Sequence, residues 1–279
     1  MWKQWVLILM VAFIFTGCSK EENTAIDYNK YITAGDEYVM FQNVVHENLK
    51  WIYRAAYMAD FGEDGKDYFR HVQVVKKFQD NDSIVYTLDY SRTWNDYDDL
   101  HKDSIITTSV VGSMQNQGDR AYVKLDGFKI ADRQFFGGLI YKHKGSADEG
   151  GYIIDVSSQE LGFSDTLGNT HNLSINQQIR INYYSITEDS LSFQTHTSGR
   201  AEGQASNYEQ YSAIISDTSL LIDSLACTRI QHGSVSFELS NVNAKEGTYL
   251  NFSLTPPDTC NQHYKIHFDR EDYVLRRRQ

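Results

Sequence analysis

Between Asp36 and Gly65 the apolar positions fall into a helical rhythm. Phe41, Val45, Leu49, Ile52, Ala56 and Ala59 recur at spacings of three or four, which lines them along one face of an α-helix. Asp36 can accept a hydrogen bond from the free amides at the start of such a helix, and Gly62 and Gly65 stop it. The pattern predicts an amphipathic helix from Val39 to Ala59, suited to covering the face or edge of a sheet. From Tyr68 onward the rhythm changes to period two, with turn residues between the runs. Strands are expected at Arg70 to Phe78, Ile84 to Arg92 and Ile105 to Val111, then at Ala121 to Ile130 and Phe135 to His143 on either side of Ala131-Asp132-Arg133. Gly145 to Gly151 is polar and glycine-rich and reads as a hinge or boundary. Beyond it, runs begin at Tyr152, Gln178, Leu191, Tyr211, Leu220, Val235, Thr248 and Tyr264. The expected fold class is mostly β: an antiparallel β-sandwich-like architecture, in one or two units, with one N-terminal amphipathic helix.

The start of the chain obeys a different rule. Lys3 gives a positive flank, and Trp5 to Phe15 is an unbroken apolar run. That run is well short of the ~20 residues that a membrane-spanning helix needs. Phe15-Thr16-Gly17-Cys18 follows at once. This resembles the lipobox of bacterial lipoproteins, in which small residues precede an invariant cysteine; Phe15 stands where the family usually has leucine. The resemblance implies a signal peptide over 1–17, removed after Gly17, and a lipid anchor on the Cys18 thiol. Ser19-Lys20-Glu21-Glu22 in turn resembles the short acidic export signal of surface-displayed lipoproteins of the Bacteroidota, which implies an outer-membrane lipoprotein facing outward rather than into the periplasm. Both resemblances lie within residues 1–22. Ser19 to Gly35 also reads simply as a polar spacer. The expected organisation is a signal peptide (1–17), a polar tether (18–36), the helix with a first β unit (37–147) and a second β unit (148–279).

Charge and cysteine usage narrow the partners. The 279 residues hold 26 Lys+Arg against 37 Asp+Glu, a net charge of -11, and removing Lys3 with the signal peptide makes it one unit more negative. Nucleic acid and anionic lipid both need basic patches, so neither is an expected partner. The one basic cluster, Arg276-Arg277-Arg278, reads as a solvated tail. Nineteen tyrosines and only two prolines suit a strand-rich core. With Cys18 acylated, Cys227 and Cys260 remain. In an oxidising compartment they are expected to form a disulfide, worth about 2–4 kcal/mol; two separately buried thiols are the alternative.

The candidate chemistry is sparse. Asp-Ser/Thr-aliphatic triplets occur five times, at Asp82-Ser83-Ile84, Asp103-Ser104-Ile105, Asp165-Thr166-Leu167, Asp189-Ser190-Leu191 and Asp223-Ser224-Leu225. Composition alone predicts roughly one. They resemble the O-glycosylation triplet of exported Bacteroidota proteins, which makes Ser83, Ser104, Thr166, Ser190 and Ser224 candidate acceptors. The structural alternative is that Asp and Ser close turns and the aliphatic residue opens the next strand. Trp94, Asp96, Tyr97, Asp98 and Asp99 mix rings with carboxylates, as sugar sites do, or as a weak Ca²⁺ loop would; a solvated acidic loop anchored by one Trp fits the same residues. Asp60 to Asp67 has a faint calcium-loop pattern but carries Gly62 where a ligand belongs and lacks the closing glutamate, so a helix stop followed by an acidic turn is the better reading. His263 and His267 share a strand face and read as packing residues rather than a zinc pair. No metal or other cofactor is expected.

These features predict a lipid-anchored envelope protein acting as a non-catalytic binding or structural module. Its expected partners are the membrane through the anchor, and a glycan or another envelope protein. The rivals are a glycan-binding surface lipoprotein serving polysaccharide uptake, with Trp94 and Tyr97 stacking on sugar, an envelope hydrolase using a carboxylate pair, and a subunit of a surface assembly that pairs through strand edges.

Overall fold

The structure is a computed structural model; it describes residues 28–61, 73–80, 83–89, 105–112, 114–125, 128–130, 133–147, 151–187, 190–227, 229–241, 247–254, 260, 263–268 and 270–276. Among the described residues one long helix, α1 (Tyr28–Phe61), precedes fifteen strands. They are β1 (Gln73–Asp80), β2 (Ser83–Asp89), β3 (Ile105–Val111), β4 (Arg120–Leu125), β5 (Phe128–Ile130), β6 (Arg133–Ser146), β7 (Tyr152–Ser164) and β8 (Thr170–Thr187). After them come β9 (Ser190–Gln204), β10 (Gln210–Ile215), β11 (Leu221–Ser224), β12 (Ser234–Leu239), β13 (Tyr249–Asn251), β14 (His263–Phe268) and β15 (Glu271–Arg276). All belong to one antiparallel sheet that follows chain order, with β5 paired beside β6 and β11 beside β9. The mostly β, antiparallel fold with a helix near the N-terminus is the one the sequence pattern predicts. Pairing continues across the glycine-rich segment, where Ser146 and Tyr152 face each other in the β6–β7 ladder.

The helix differs from its expected form in two ways. It begins at Tyr28, so Asp36 is no cap but an interior residue, whose Oδ1 accepts a hydrogen bond from the Tyr264 hydroxyl at 3.0 Å. It is also not amphipathic in its surroundings. Every residue from Ala34 to Gln42 is buried, and at 100° per residue those positions point in all directions. The contacts show how. Tyr31 packs on Phe268 of β14, Tyr38 on Tyr211 of β10 and Phe237 of β12, and Tyr53 on Phe193 of β9. The Tyr141 hydroxyl of β6 donates to the Val45 carbonyl at 2.8 Å. Asp36, bonded to Tyr264 of β14, and Glu37, bonded to Arg133 of β6, project about 100° apart, so strands from distant parts of the sheet reach different sides of one helix. The sheet curls around α1, giving a sandwich-like section with the helix as its filling.

Polar helix positions survive burial because the sheet supplies partners. Glu37 accepts from Arg133 of β6 at 2.7 Å and from the Ser206 amide at 2.8 Å. The hydrophobic core is a single cluster that draws on α1 and on strands from β3 to β14. Each large apolar side chain in it contributes about 1.5–3 kcal/mol. No described helix is long and apolar enough to cross a membrane.

Candidate ligand cleft

A cleft opens on the outer face of the sheet where one strand changes partner. β9 pairs with β11 through Gln194–Thr197 and with β10 through Gly199–Gln204. Gly199, at the changeover, has φ +119°, and a Cβ there would lie 2.5 Å from the Asn176 carbonyl oxygen. Only glycine suits both constraints. Between β10 and β11 the chain leaves the ladder as the turn 216–220, held by the Ser219 amide donating to the Ser216 carbonyl at 3.0 Å. Below the turn, His196, Ile222 and His232 lie side by side on three neighbouring segments. Residues directly opposite in antiparallel pairs share a face, so the two imidazoles flank Ile222 on the outer surface.

The resulting cleft has a volume of about 460 Å³ and is lined by polar groups, among them Asp217, Ser219, His232, Ser234 and Asn251. The Ser219 and Ser234 hydroxyls are 2.5 Å apart, and the Gly233 amide donates to the Ser253 hydroxyl at 3.1 Å. His196 is 2.9 Å from the Gln194 side-chain oxygen. Burial, aided by the Arg180 guanidinium, lowers its pKa, so the ring is neutral at pH 7. Hydroxyls, amides and neutral imidazole can each donate and accept, which is what recognition of a hydroxyl-rich ligand needs.

The inner face of the same strands is clamped to the helix. His46, Lys50 and Arg54 are spaced by four and form one stripe along α1. Lys50 Nζ is 2.5 Å from Asp223 Oδ2 and donates to the Cys227 carbonyl at 2.6 Å. His46 Nδ1 is 3.4 Å from the same carboxylate oxygen, its Nε2 is 3.2 Å from the Thr197 hydroxyl, and Arg54 donates to the Leu225 carbonyl at 3.2 Å. Burial alone would raise the Asp223 pKa, but Lys50 and His46 outweigh it and hold the carboxyl below the usual range. Cys227, at the end of this segment, is joined to Cys260 by a disulfide with Cα atoms 5.3 Å apart. The strands under the cleft are thus fixed by charge, hydrogen bonds and a covalent bridge.

The residues singled out in the sequence are scattered. Cys18, Ser104, Trp94, Asp96, Tyr97, Asp98, Asp99 and the segment 62–72 lie outside the described residues. Ser83 opens β2 and Ser190 opens β9. Thr166 is exposed in the β7–β8 turn, which Asp165 closes by accepting from the Leu167 and Asn169 amides at 2.8 and 2.9 Å. Ser224 is half-buried at the end of β11, where its amide donates to Asp223 at 2.8 Å. In these last two triplets the aspartate has a clear structural task. His263 is exposed, while His267 stacks on Tyr249 with ring centroids 4.6 Å apart and meets Asp272 at 2.8 Å. Among the described residues no three His, Cys, Asp or Glu side chains gather as a metal site.

The cleft itself escaped the sequence reading, because its residues come from four separated segments with no linear spacing in common. The stripe of His46, Lys50 and Arg54 is a spacing of four in the sequence that went unread, and the spacing alone does not show that a strand would meet it. Comparisons with family models, with curated proteins and with solved structures found no match.

Proposed function

We propose that this chain is an exported envelope protein, anchored by lipid at Cys18 and displayed outward, which acts as a binding module for a hydroxyl-rich ligand of glycan type. The cleft between β9, β11 and the 216–220 turn is the observation that supports binding: its wall brings together Thr218, Ser219, Ser234, Asn251 and Ser253, groups that both donate and accept, beside His196 and His232. Among the described residues that line it Asp217 is the only carboxylate, whereas acid–base cleavage of a glycosidic bond uses two, so this lining fits binding better than hydrolysis. Export is supported by the Cys227–Cys260 disulfide, a bond that persists in oxidising compartments, together with the apolar run and lipobox-like sequence before Cys18.

The test uses the full lipidated protein in detergent on an array of envelope and plant polysaccharides. The protein is expected to retain a subset of glycans, and the double variant Ser219→Ala/His232→Ala to weaken that retention about tenfold or more. Equal retention by variant and wild type, or no glycan retained at all, would refute the ligand assignment.

A further inference from the structure

The antiparallel register gathers several turns at the end of the sheet where α1 begins. Ser164 faces Thr170, Gln204 faces Gln210, and Leu173 faces Gly203, so the β7–β8 turn (165–169) and the β9–β10 turn (205–209) stand side by side. The His171 and Tyr208 rings are 5.8 Å apart across them. The helix N-terminus is tied to this same end. Lys30 pairs with Glu209, the Asn207 side chain donates to the Lys30 carbonyl at 3.1 Å, and the Tyr28 ring lies 5.5 Å from those of Phe268 and Tyr273 beside the β14–β15 turn.

Two apolar side chains project from these tips. Leu167 is 85% exposed and Tyr208 is 59% exposed. Neither is placed by slack. Asp165 holds the Leu167 amide and both nitrogens of Asn169, fixing the turn. Tyr208 sits at φ +66°, a conformation unfavourable for a bulky residue, and is kept there by its amide donating to the Ala205 carbonyl at 2.8 Å. A leucine and a tyrosine exposed on adjacent hairpin tips, each on a hydrogen-bonded turn, suit the boundary between headgroups and acyl chains, where tyrosine rings partition.

We infer that this end of the molecule faces the bilayer, with Leu167 and Tyr208 seated in the interface of a zwitterionic lipid surface. The inference rests on the proposed lipid anchor. From Cys18 to Tyr28 the chain can reach at most roughly 35 Å at about 3.5 Å per residue, so an anchor at Cys18 holds the helix start, and with it these tips, within that distance of the surface. The negative charge of the chain selects zwitterionic over anionic headgroups. Two side chains orient a body that the lipid already holds. The geometry also sets the cleft: the run of β9 from Gln204 back to His196 raises it roughly 25 Å above the tips, at about 3.3 Å per residue, so it opens sideways and clear of the surface.

The test is depth-dependent quenching. Leu167→Cys and, as control, Gln117→Cys are labelled with an environment-sensitive fluorophore in the full lipidated protein, whose other cysteines are acylated or bridged. Gln117 is exposed in the β3–β4 connection, beside the far end of β6. Each protein is reconstituted in phosphatidylcholine vesicles containing nitroxide lipids, and palmitate incorporation is measured on the same samples. The label at 167 is expected to lose emission while that at 117 keeps it. Palmitate incorporation without quenching at 167 would overturn the orientation and leave the anchor standing; failure to incorporate palmitate would overturn both. A dimer formed through this end, or a glycan found on Thr166, would also overturn it, because either would cover Leu167.

Discussion

Asp223 concentrates much of what the interior requires of single residues. It is fully buried, bears a charge and meets two partners that reach it from the helix, the Lys50 ammonium at 2.5 Å and the His46 ring at 3.4 Å. Removing one member of such a pair leaves the other charge desolvated and uncompensated, which costs about 3–5 kcal/mol. Asp223→Ala is therefore expected to lower the unfolding free energy by that amount, read from the shift in denaturant midpoint. The same carboxylate makes stability depend on pH. Its folded pKa lies below the unfolded value of about 3.9, so its contribution is complete above that value and is lost as pH falls through the folded one. Asp165, whose carboxyl is held down to about 2 chiefly by the Asn169 side chain, acts in the same direction and keeps its contribution until pH approaches that value. Acid titration followed by circular dichroism should show wild-type stability falling below about pH 4, and a shallower fall in Asp223→Asn. Little of this was legible in the sequence, where Asp223 looked like part of a surface triplet. Its partners are more than a hundred and seventy positions away on the helix.

At the scale of elements, β9 shows both what the pattern reveals and what it hides. Its first half, Leu191 to Thr197, alternates in the ordinary way and was expected. Its second half, Ser198 to Gln204, carries glycine and alanine at positions where a strand usually shows large apolar residues, and the period-two signal fades. Small residues belong there because Tyr211 and Leu173 crowd Gly203. β15 went unseen for another reason: at the sheet edge only Tyr273 and Leu275 face inward, both partly buried, and two positions among charged neighbours are too short an alternation to read. The helix was legible as a helix, and the expected span Val39 to Ala59 lies within the observed one. Its start and surroundings were not, since Asp36, Glu37, His46 and Lys50 resemble a solvent face until the sheet's partners are known. Two predictions follow at this scale. Gly199→Ala should destabilise the protein by about 1–3 kcal/mol and weaken ligand retention, because the strained position and the blocked space both lie beneath the cleft. Cys227→Ser/Cys260→Ser should cost about 2–4 kcal/mol in unfolding measured without reductant, and adding reductant should bring wild type to the same value.

The whole molecule is a long helix threaded through one curled sheet, with a polar cleft on its flank and apolar hairpin tips at the end where the helix begins. A sheet that follows chain order builds this shape from hairpins between neighbours, and the helix supplies the surface on which the inner faces converge. The fold class could be read from the change of rhythm at Tyr68. That the strands form one sheet around a buried helix could not, because burial on all sides depends on contacts between distant segments. The proposed lipid attachment at Cys18 would give the arrangement a direction: tips toward the bilayer, cleft to the side, body outward. That attachment is the premise on which the functional account stands. Intact mass spectrometry of the protein extracted from the membrane fraction tests it most directly. The account predicts a chain that begins at Cys18, carries acyl mass on that residue and retains the Cys227–Cys260 bridge. A chain that begins elsewhere, or a Cys18 without acyl mass, would contradict it.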